Sequence, residues 1–333
     1  MHVLARAPGK LVVLGEYVVL AGGPALVMAV DRHCVAELRS SDGDVCHMST
    51  VADCSEQRSF GSAEASDVAI VDSVMRRWPR DDVGVWRGRL DSSQLFVTGR
   101  KLGLGSSAAA LVAWAGAWTA YTRSEDGSAA TPSLAELVDL HRTIQAGAGS
   151  GLDVAASLHG GVLAYRLVSV DRPEAVSVAL PNSVRFVGVS TPRAASTPDL
   201  LARFEAWRVA EPAAAAMRLD RMREVAELGV ASASAADAAQ FLAAVQRYGL
   251  ELDALGAAIG VDIVTPEHAA IAEVAARAGV TYKVSGAGGG DLGLGFATDD
   301  EALEAFAAAV PAGCEVLRLA IDRAGLVIEE RAA

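Results

Sequence analysis

Residues 109–121 carry no charge and, read as a helix, are apolar on every side, Trp114 and Trp118 included. A helix with no polar face has nothing to turn toward water, so it must lie inside the protein with other elements packed around it. Just before it, Gln94-Leu-Phe-Val-Thr98 suits a strand, and Gly103-Leu-Gly-Ser-Ser-Ala108 fills the space between. The predicted order is therefore strand, glycine turn, buried helix. The chain can supply the cover: 52% of its 333 residues are hydrophobic. That length predicts two domains or one large two-layer domain.

The opening reads as β structure, with strands over 3–7 and 10–14 continuing at 27–30 and 34–38. Residues 40–66 are polar and read as irregular, and 67–78 suit a helix. Glu125 to Ala130 reads as a polar loop, after which Thr131-Pro-Ser133 starts a helix with Ser133 and Glu136 as a capping box. Leu134, Leu137 and Val138 put His141 and Gln145 on the same inward stripe. Glycines 147–151 break that helix, Ser150-Gly-Leu-Asp153 begins another, and 162–168 return as a strand. From about residue 180 the pattern changes to a strand at 184–189, a helix from Thr197-Pro198 to Arg208, and two Ala-rich helices. A further helix opens at Thr265-Pro266, and strands at 280–285 and 292–296 flank a glycine turn as in a hairpin. A helix at 300–309 and two closing strands finish an α+β protein in two parts, 1–180 and 181–333.

Acids outnumber bases 41 to 29, for a net charge of −12. A broad nucleic-acid surface is thereby excluded, because phosphate neutralisation needs clustered cations. Lys10, Arg100, Lys101, Arg142, Arg193 and Lys283 remain as cations that could converge on one anion. The four cysteines have no CxxC spacing, which argues against a zinc site or a disulfide framework. The N-terminus lacks a signal-peptide core and no apolar run spans a bilayer, so a cytoplasmic protein with no membrane partner is expected.

Four segments carry chemistry. In Lys101-Leu-Gly103-Leu104-Gly105-Ser106-Ser107-Ala108, glycines let the backbone approach a phosphate, while the helix start offers unpaired N–H groups and a positive dipole end. Ser106 and Ser107 add hydroxyls for phosphate or a magnesium ion. A serine-capped helix after a plain glycine turn accounts for the same residues more blandly. A dinucleotide fingerprint, Gly103-x-Gly105-x-x-Ala108, fails because the acid it needs falls at Glu125, in a polar loop straight after a helix. The second segment, Lys283-Val-Ser285-Gly286-Ala287-Gly288-Gly289-Gly290-Asp291, holds more glycine than a hairpin needs and suggests close approach of backbone to a ligand. The third runs from Gln145 through Gly149, Ser150 and Gly151 to Asp153, which is either a first-turn acid or a functional carboxylate. The fourth is Pro8-Gly-Lys10-Leu with Gly15-Glu16-Tyr17. No Walker A, kinase-type His-Arg-Asp, zinc or nucleophile-elbow pattern occurs. His33, His47, His159 and His268 lack partners at useful spacing and read as incidental.

These four segments, in this order from Pro8 to Phe296, resemble the GHMP kinase superfamily. Within it the resemblance is to the bacterial phosphomevalonate kinase branch, on Pro8-Gly-Lys-Leu, Gly15-Glu-Tyr17-Val, His141-Arg-x-x-Gln145 before Gly149-Ser-Gly-x-Asp153, Ala195-Ser196-Thr197-Pro198 and Ser285-Gly-Ala-Gly-Gly-Gly-Asp291. The linker from Gln145 to Gly149 is looser than the branch's Gln-Gly pattern. The resemblance implies an N-terminal ribosomal-S5-like domain, a C-terminal ferredoxin-like domain, and ATP and substrate in the cleft between them. It implies phosphorylation of (R)-5-phosphomevalonate, or of another small acceptor of the superfamily, with a non-catalytic ATP-binding regulator as the remaining reading. ATP and Mg2+ are the implied cofactors, and the chain is expected as a monomer or homodimer.

Carried over by position, Gly103 to Ala108 would wrap the ATP phosphates; Ser92 and Ser93, in the loop before the strand, are expected separately as nucleotide neighbours. Ser106, Ser107 and Gln145 would lie near the metal. Lys10 would face the transferred phosphoryl group beside Asp153, which acts as a base or as an orienting residue. The acceptor would meet Gly15, Glu16, Tyr17, Lys101, Gln145, Ser150, Gly151, Ser196 and Thr197. The loop of Ser285, Gly286, Ala287, Gly288, Gly289 and Asp291 would close the site.

Overall fold

The computed structural model describes all residues except 53, 62–63, 81–82, 98, 124–130 and 332–333, so the expected polar loop at 125–130 lies outside the described residues. Two long strands, β1 (His2–Leu14) and β2 (Ala25–Ser40), open the chain and pair antiparallel. Next come β3 (Cys46–Val51), β4 (Ser55–Phe60), α1 (Ala69–Arg77) and β5 (Trp86–Asp91). A short ladder of β6 (Phe96–Val97) and β7 (Arg100–Lys101) leads to α2 (Ser106–Tyr121), α3 (Leu134–Ile144) and α4 (Leu152–His159). The hairpin β8 (Val162–Ser169) and β9 (Arg172–Val178) ends this part.

After it follow β10 (Arg185–Ser190), α5 (Thr197–Ala210), α6 (Pro212–Ser234), α7 (Ala238–Ile259) and α8 (Pro266–Arg277). The chain closes with β11 (Thr281–Val284), β12 (Leu292–Ala297), α9 (Asp300–Ala309), β13 (Glu315–Leu317) and β14 (Val327–Arg331). One sheet runs β14-β1-β2-β5-β3-β4, with β8 also on β2 and β9 on β8; a second runs β11-β12-β10-β13. The change of sheet falls between β9 and β10, while β14 returns to pair with β1.

The apolar helix takes the place its composition demands. Every residue of α2 from Ala108 to Tyr121 is buried, against β1, β2, α1 and α4. Trp114 and Trp118 pack on Trp86 at ring-centroid distances of 5.9 and 6.2 Å, and Phe60 meets Trp86 edge-on at 5.5 Å. Gly88 makes room for this cluster, since a Cβ there would come within 2.7 Å of Trp114. The Ser133–Glu136 capping box forms as expected.

Several expectations differ. The separate strands expected over 3–7 and 10–14, and over 27–30 and 34–38, are the single long strands β1 and β2, with a register shift at Pro8/Gly9 in place of a turn. The polar stretch from 40 contains the paired strands β3 and β4; β4 is an outer strand exposed at all but its last residue, so it lacks the apolar alternation that marks a half-buried strand. The strand expected over 94–98 is a 3₁₀ turn, Ser93–Leu95, followed by two strand residues, because the chain reverses at Gly99, φ +79°.

Candidate active site

A β-bulge interrupts the pairing of β1 with β2 between Pro8 and Gly9, just before Lys10. Bulges re-aim side chains, and here the Lys10 amide donates to Leu104 O at 2.8 Å while its ammonium donates to Gly103 O at 3.1 Å. Strand β1 is thus stitched to the glycine turn before α2. Gly105 has φ +76°, and a Cβ on it would lie 3.1 Å from Lys10 Cγ and 3.7 Å from Asp153 Cβ. Lys10 and Asp153, from distant segments, therefore flank one glycine. Burial lowers the Lys10 pKa below the ordinary 10.5, against the pull of Asp153, Glu16 and Asp291, which favour its charge.

No side chain caps the start of α2. Its first residues, Ser106 and Ser107, line the cavity, which brings the uncapped first turn and the positive end of the helix dipole to it. His141 sits beside it: its Nε2 lies 3.2 Å from Ser107 Oγ and 3.1 Å from the Gln145 amide nitrogen, which places the ring proton on Nδ1, 3.9 Å from Asp153 Oδ1. Gln145 is the C-cap of α3 rather than part of its buried face; it lines the cavity from there and contacts His141. The loose linker after it is pinned, with Arg142 donating to Gly149 O and Tyr165 OH to Ser150 O at 2.6 Å.

The opposite wall is the turn between β11 and β12. Ser285 Oγ donates to Val12 O and accepts from Val12 N, both at 3.0 Å. Gly286 N–H donates to Glu16 Oε1 at 3.2 Å, and Tyr17 OH donates to Ala287 O at 2.6 Å. Tyr17 holds φ +63°, a conformation that bulky residues seldom adopt and that its bond and its contact with Phe204 (5.1 Å between centroids) help maintain. Glu16 is 4% exposed and paired with Lys283 Nζ at 2.6 Å, and its second oxygen has no hydrogen-bond partner. Lys283, an expected anion-facing cation, is instead buried against Glu16.

These parts line one cavity of about 540 Å³. Of the expected site residues it gathers Lys10, Glu16, Tyr17, Lys101, Gly103 through Ser107, Gln145, Ser150, Asp153, Thr197, Ser285 to Gly288 and Asp291. Ala108, Gly15, Gly151, Ser196 and Gly289 are not part of that lining, and Ser196 is exposed. Gly15 and Gly151 serve the backbone: a Cβ would come within 2.3 Å of Ala25 Cα or 2.6 Å of Val138. Ser92 and Ser93 are not brought to the cavity; Ser92 Oγ donates to Val51 O and Ser93 is tied to Asp91. A larger cavity, about 1070 Å³, opens between β9, β10 and α9, but it holds none of the glycine segments. Its Arg185 and Arg318 already face Asp300 and Glu304. The smaller cavity is therefore the candidate site.

Residues 233–316 match the family described as GHMP kinases C terminal. The chain is 29% identical to the phosphomevalonate kinase of Streptomyces sp. (strain CL190), over 88% of this chain and 89% of that one. It is 27% identical to the mevalonate kinase of Pyrococcus horikoshii, over 99% and 98%. Streptococcus pneumoniae phosphomevalonate kinase, solved in complex with phosphomevalonate and AMPPNP, superposes with a TM-score of 0.77 at 19% identity, over 96% of this chain and 99% of that one. The chain carries the GHMP kinase fold.

Within that fold, no group of three or more His, Cys, Asp or Glu among the described residues could hold a metal by itself. The Ser106 and Ser107 hydroxyls and the Asp153 carboxylate nonetheless line one wall. Such a sparse oxygen set fits magnesium, which keeps much of its shell from water and substrate phosphate. His141, on the inward stripe of α3 but not among the expected site residues, contacts Ser107 and Gln145; its i, i+4 spacing from Gln145 is the sequence signal for it. No helix among the described residues is long and apolar enough to cross a membrane.

Proposed function

We propose that the protein transfers the γ-phosphoryl group of ATP to (R)-5-phosphomevalonate, giving ADP and 5-diphosphomevalonate. The observation that carries this reading is the joint lining of one cavity by Lys10, Asp153, the uncapped start of α2 and a second lysine, Lys101. The backbone from Gly103 to Ser107 would hold the nucleotide phosphates at the α2 N-terminus. Lys10 would neutralise the equatorial oxygens of the group in flight, since phosphoryl transfer is mostly positioning and charge compensation. Ser106 and Ser107, with Asp153 nearby, would hold a magnesium ion, which supplies further neutralisation of the nucleotide oxygens when bound.

Lys101 supports a phosphorylated acceptor. Arg100 and Lys101, on β7 just before the glycine turn, act electrostatically on Asp291 at the cavity edge and bring positive charge to the site in an otherwise acidic protein. A phosphate monoester has a second pKa of about 6, so its attacking oxygen is already ionised at neutral pH. Asp153 then orients Lys10 or a metal-bound water rather than removing a proton. In this reading residues 1–180 carry the phosphate loop and the Lys10–Asp153 pair, and residues 181–333 contribute Thr197 and the glycine-rich closing loop.

Mevalonate is the second acceptor to consider, favoured by the full-length similarity to the Pyrococcus horikoshii enzyme. With an alcohol acceptor Asp153 would take the hydroxyl proton as general base. ADP release with magnesium-ATP across phosphomevalonate, mevalonate, homoserine and galactose tests the proposal. Turnover with phosphomevalonate in preference to the other three is expected; preference for mevalonate would move the acceptor and give Asp153 the base role.

A further inference from the structure

His268 lies behind the cavity, fully buried in the first turn of α8, and both of its ring nitrogens are engaged. Nε2 is 3.1 Å from Gly290 O and Nδ1 is 2.8 Å from Tyr282 OH. A carbonyl oxygen only accepts, so Nε2 carries the proton, Nδ1 of the neutral ring accepts, and Tyr282 donates to it. Burial favours this neutral ring by pulling its pKa below the ordinary 6.5.

The carbonyl it holds belongs to the peptide unit joining Gly290 to Asp291. The N–H of that same unit donates to Arg193 O at 2.8 Å, so the peptide plane is fixed at both ends. The fixing is needed because Gly290 has φ +141° and Asp291, which has a side chain, has φ +55°. Such conformations persist where surrounding bonds over-determine them. Asp291 is held further by Thr191 N–H to its carbonyl (2.7 Å) and Ala195 N–H to its carboxylate (3.2 Å). Its Cβ lies 3.0 Å from the place a Cβ on Gly103 would occupy, and the carbonyl of Gly103 is the one that takes the Lys10 ammonium.

We propose that His268 is a positioning residue for the proposed phosphoryl transfer: by donating to Gly290 O it holds the Asp291 carboxylate on the Ala195 amide, next to Thr197, and so fixes the acceptor side of the cavity. It touches neither substrate nor reacting atoms. The inference rests on the reading of the cavity given above.

Two substitutions separate its bonds. His268→Gln keeps an amide N–H that reaches the Nε2 position, whereas His268→Asn keeps a polar group only near Nδ1. His268→Asn is expected to raise the acceptor KM about tenfold, the scale of one lost buried hydrogen bond, with kcat and AMPPNP affinity little changed. His268→Gln is expected to restore the acceptor KM to within about threefold of the parent on the same scale. Hydrogen exchange at the Asp291 amide, read in the absence of substrates, is expected to quicken about tenfold in His268→Asn and not in His268→Gln. Equal impairment of both variants, a parallel loss of AMPPNP affinity, or unchanged Asp291 exchange in His268→Asn would overturn the proposal. If the parent protein turns over no acceptor, the kinase reading fails and the exchange measurement alone decides the role of His268.

Discussion

Lys10 feels three carboxylates, yet burial outweighs them and lowers its pKa below the ordinary 10.5. A lysine is charged below its pKa, so raising the pH through that lowered value discharges Lys10 and removes the positive charge proposed to meet the phosphoryl group. Because kcat/KM reports the free enzyme, its alkaline limb is expected below pH 10.5, and a limb at or above that value would contradict the role given to Lys10. The Lys10→Met variant is expected to lose on the order of 10² to 10³ in kcat, the scale of removing one group that stabilises transition-state charge. Asp153→Asn is expected to lose less, because an ionised acceptor needs no base; steady-state rates of the two variants settle the order, and the reverse order would favour an alcohol acceptor.

At the scale of elements, the turn before α2 depends on Gly105. An alanine there must hold φ +76° with its Cβ 3.1 Å from Lys10 Cγ. Gly105→Ala is expected to cost about 1 to 2 kcal/mol in denaturant unfolding and roughly 10² in kcat, since Lys10 is pushed from its place. A variant with parental kcat would show that this turn does not set the Lys10 geometry. The buried helix that follows was legible because an apolar surface all round has one solution, and the capping box was legible because its signal is local. The strands β3 and β4 were not, because an exposed outer strand has no apolar alternation to read. Ser92 and Ser93 looked like nucleotide neighbours from their place in the loop before a strand, whereas their hydroxyls are spent on Val51 and Asp91. His268 looked incidental because its partners, Tyr282 and Gly290, come from a strand and a loop further along the chain.

Across the whole molecule, strand β11 and the segment just after β1 are joined by a buried ion pair, Lys283 to Glu16 at 2.6 Å, beside the Ser285–Val12 and Tyr17–Ala287 bonds. Tyr248 OH adds a bond to Glu16 O at 2.7 Å. Sequence showed both charges but not their pairing, which joins residues 267 positions apart. Lys283→Met leaves a carboxylate buried without its partner and is expected to lower unfolding free energy by about 3 to 5 kcal/mol. Lys283→Met combined with Glu16→Gln is expected to recover part of that loss in denaturant unfolding but not acceptor turnover, because Glu16 lines the cavity. Full recovery of both would reduce the pair to a structural role.

The central claim, transfer of a phosphoryl group onto an existing phosphate, is tested most directly by phosphorus NMR of the reaction with magnesium-ATP and (R)-5-phosphomevalonate. The account predicts the loss of the phosphomevalonate monoester signal and the appearance of two coupled diphosphate resonances distinct from those of ADP. An unchanged monoester signal, with a new monoester formed when mevalonate replaces phosphomevalonate, would contradict it.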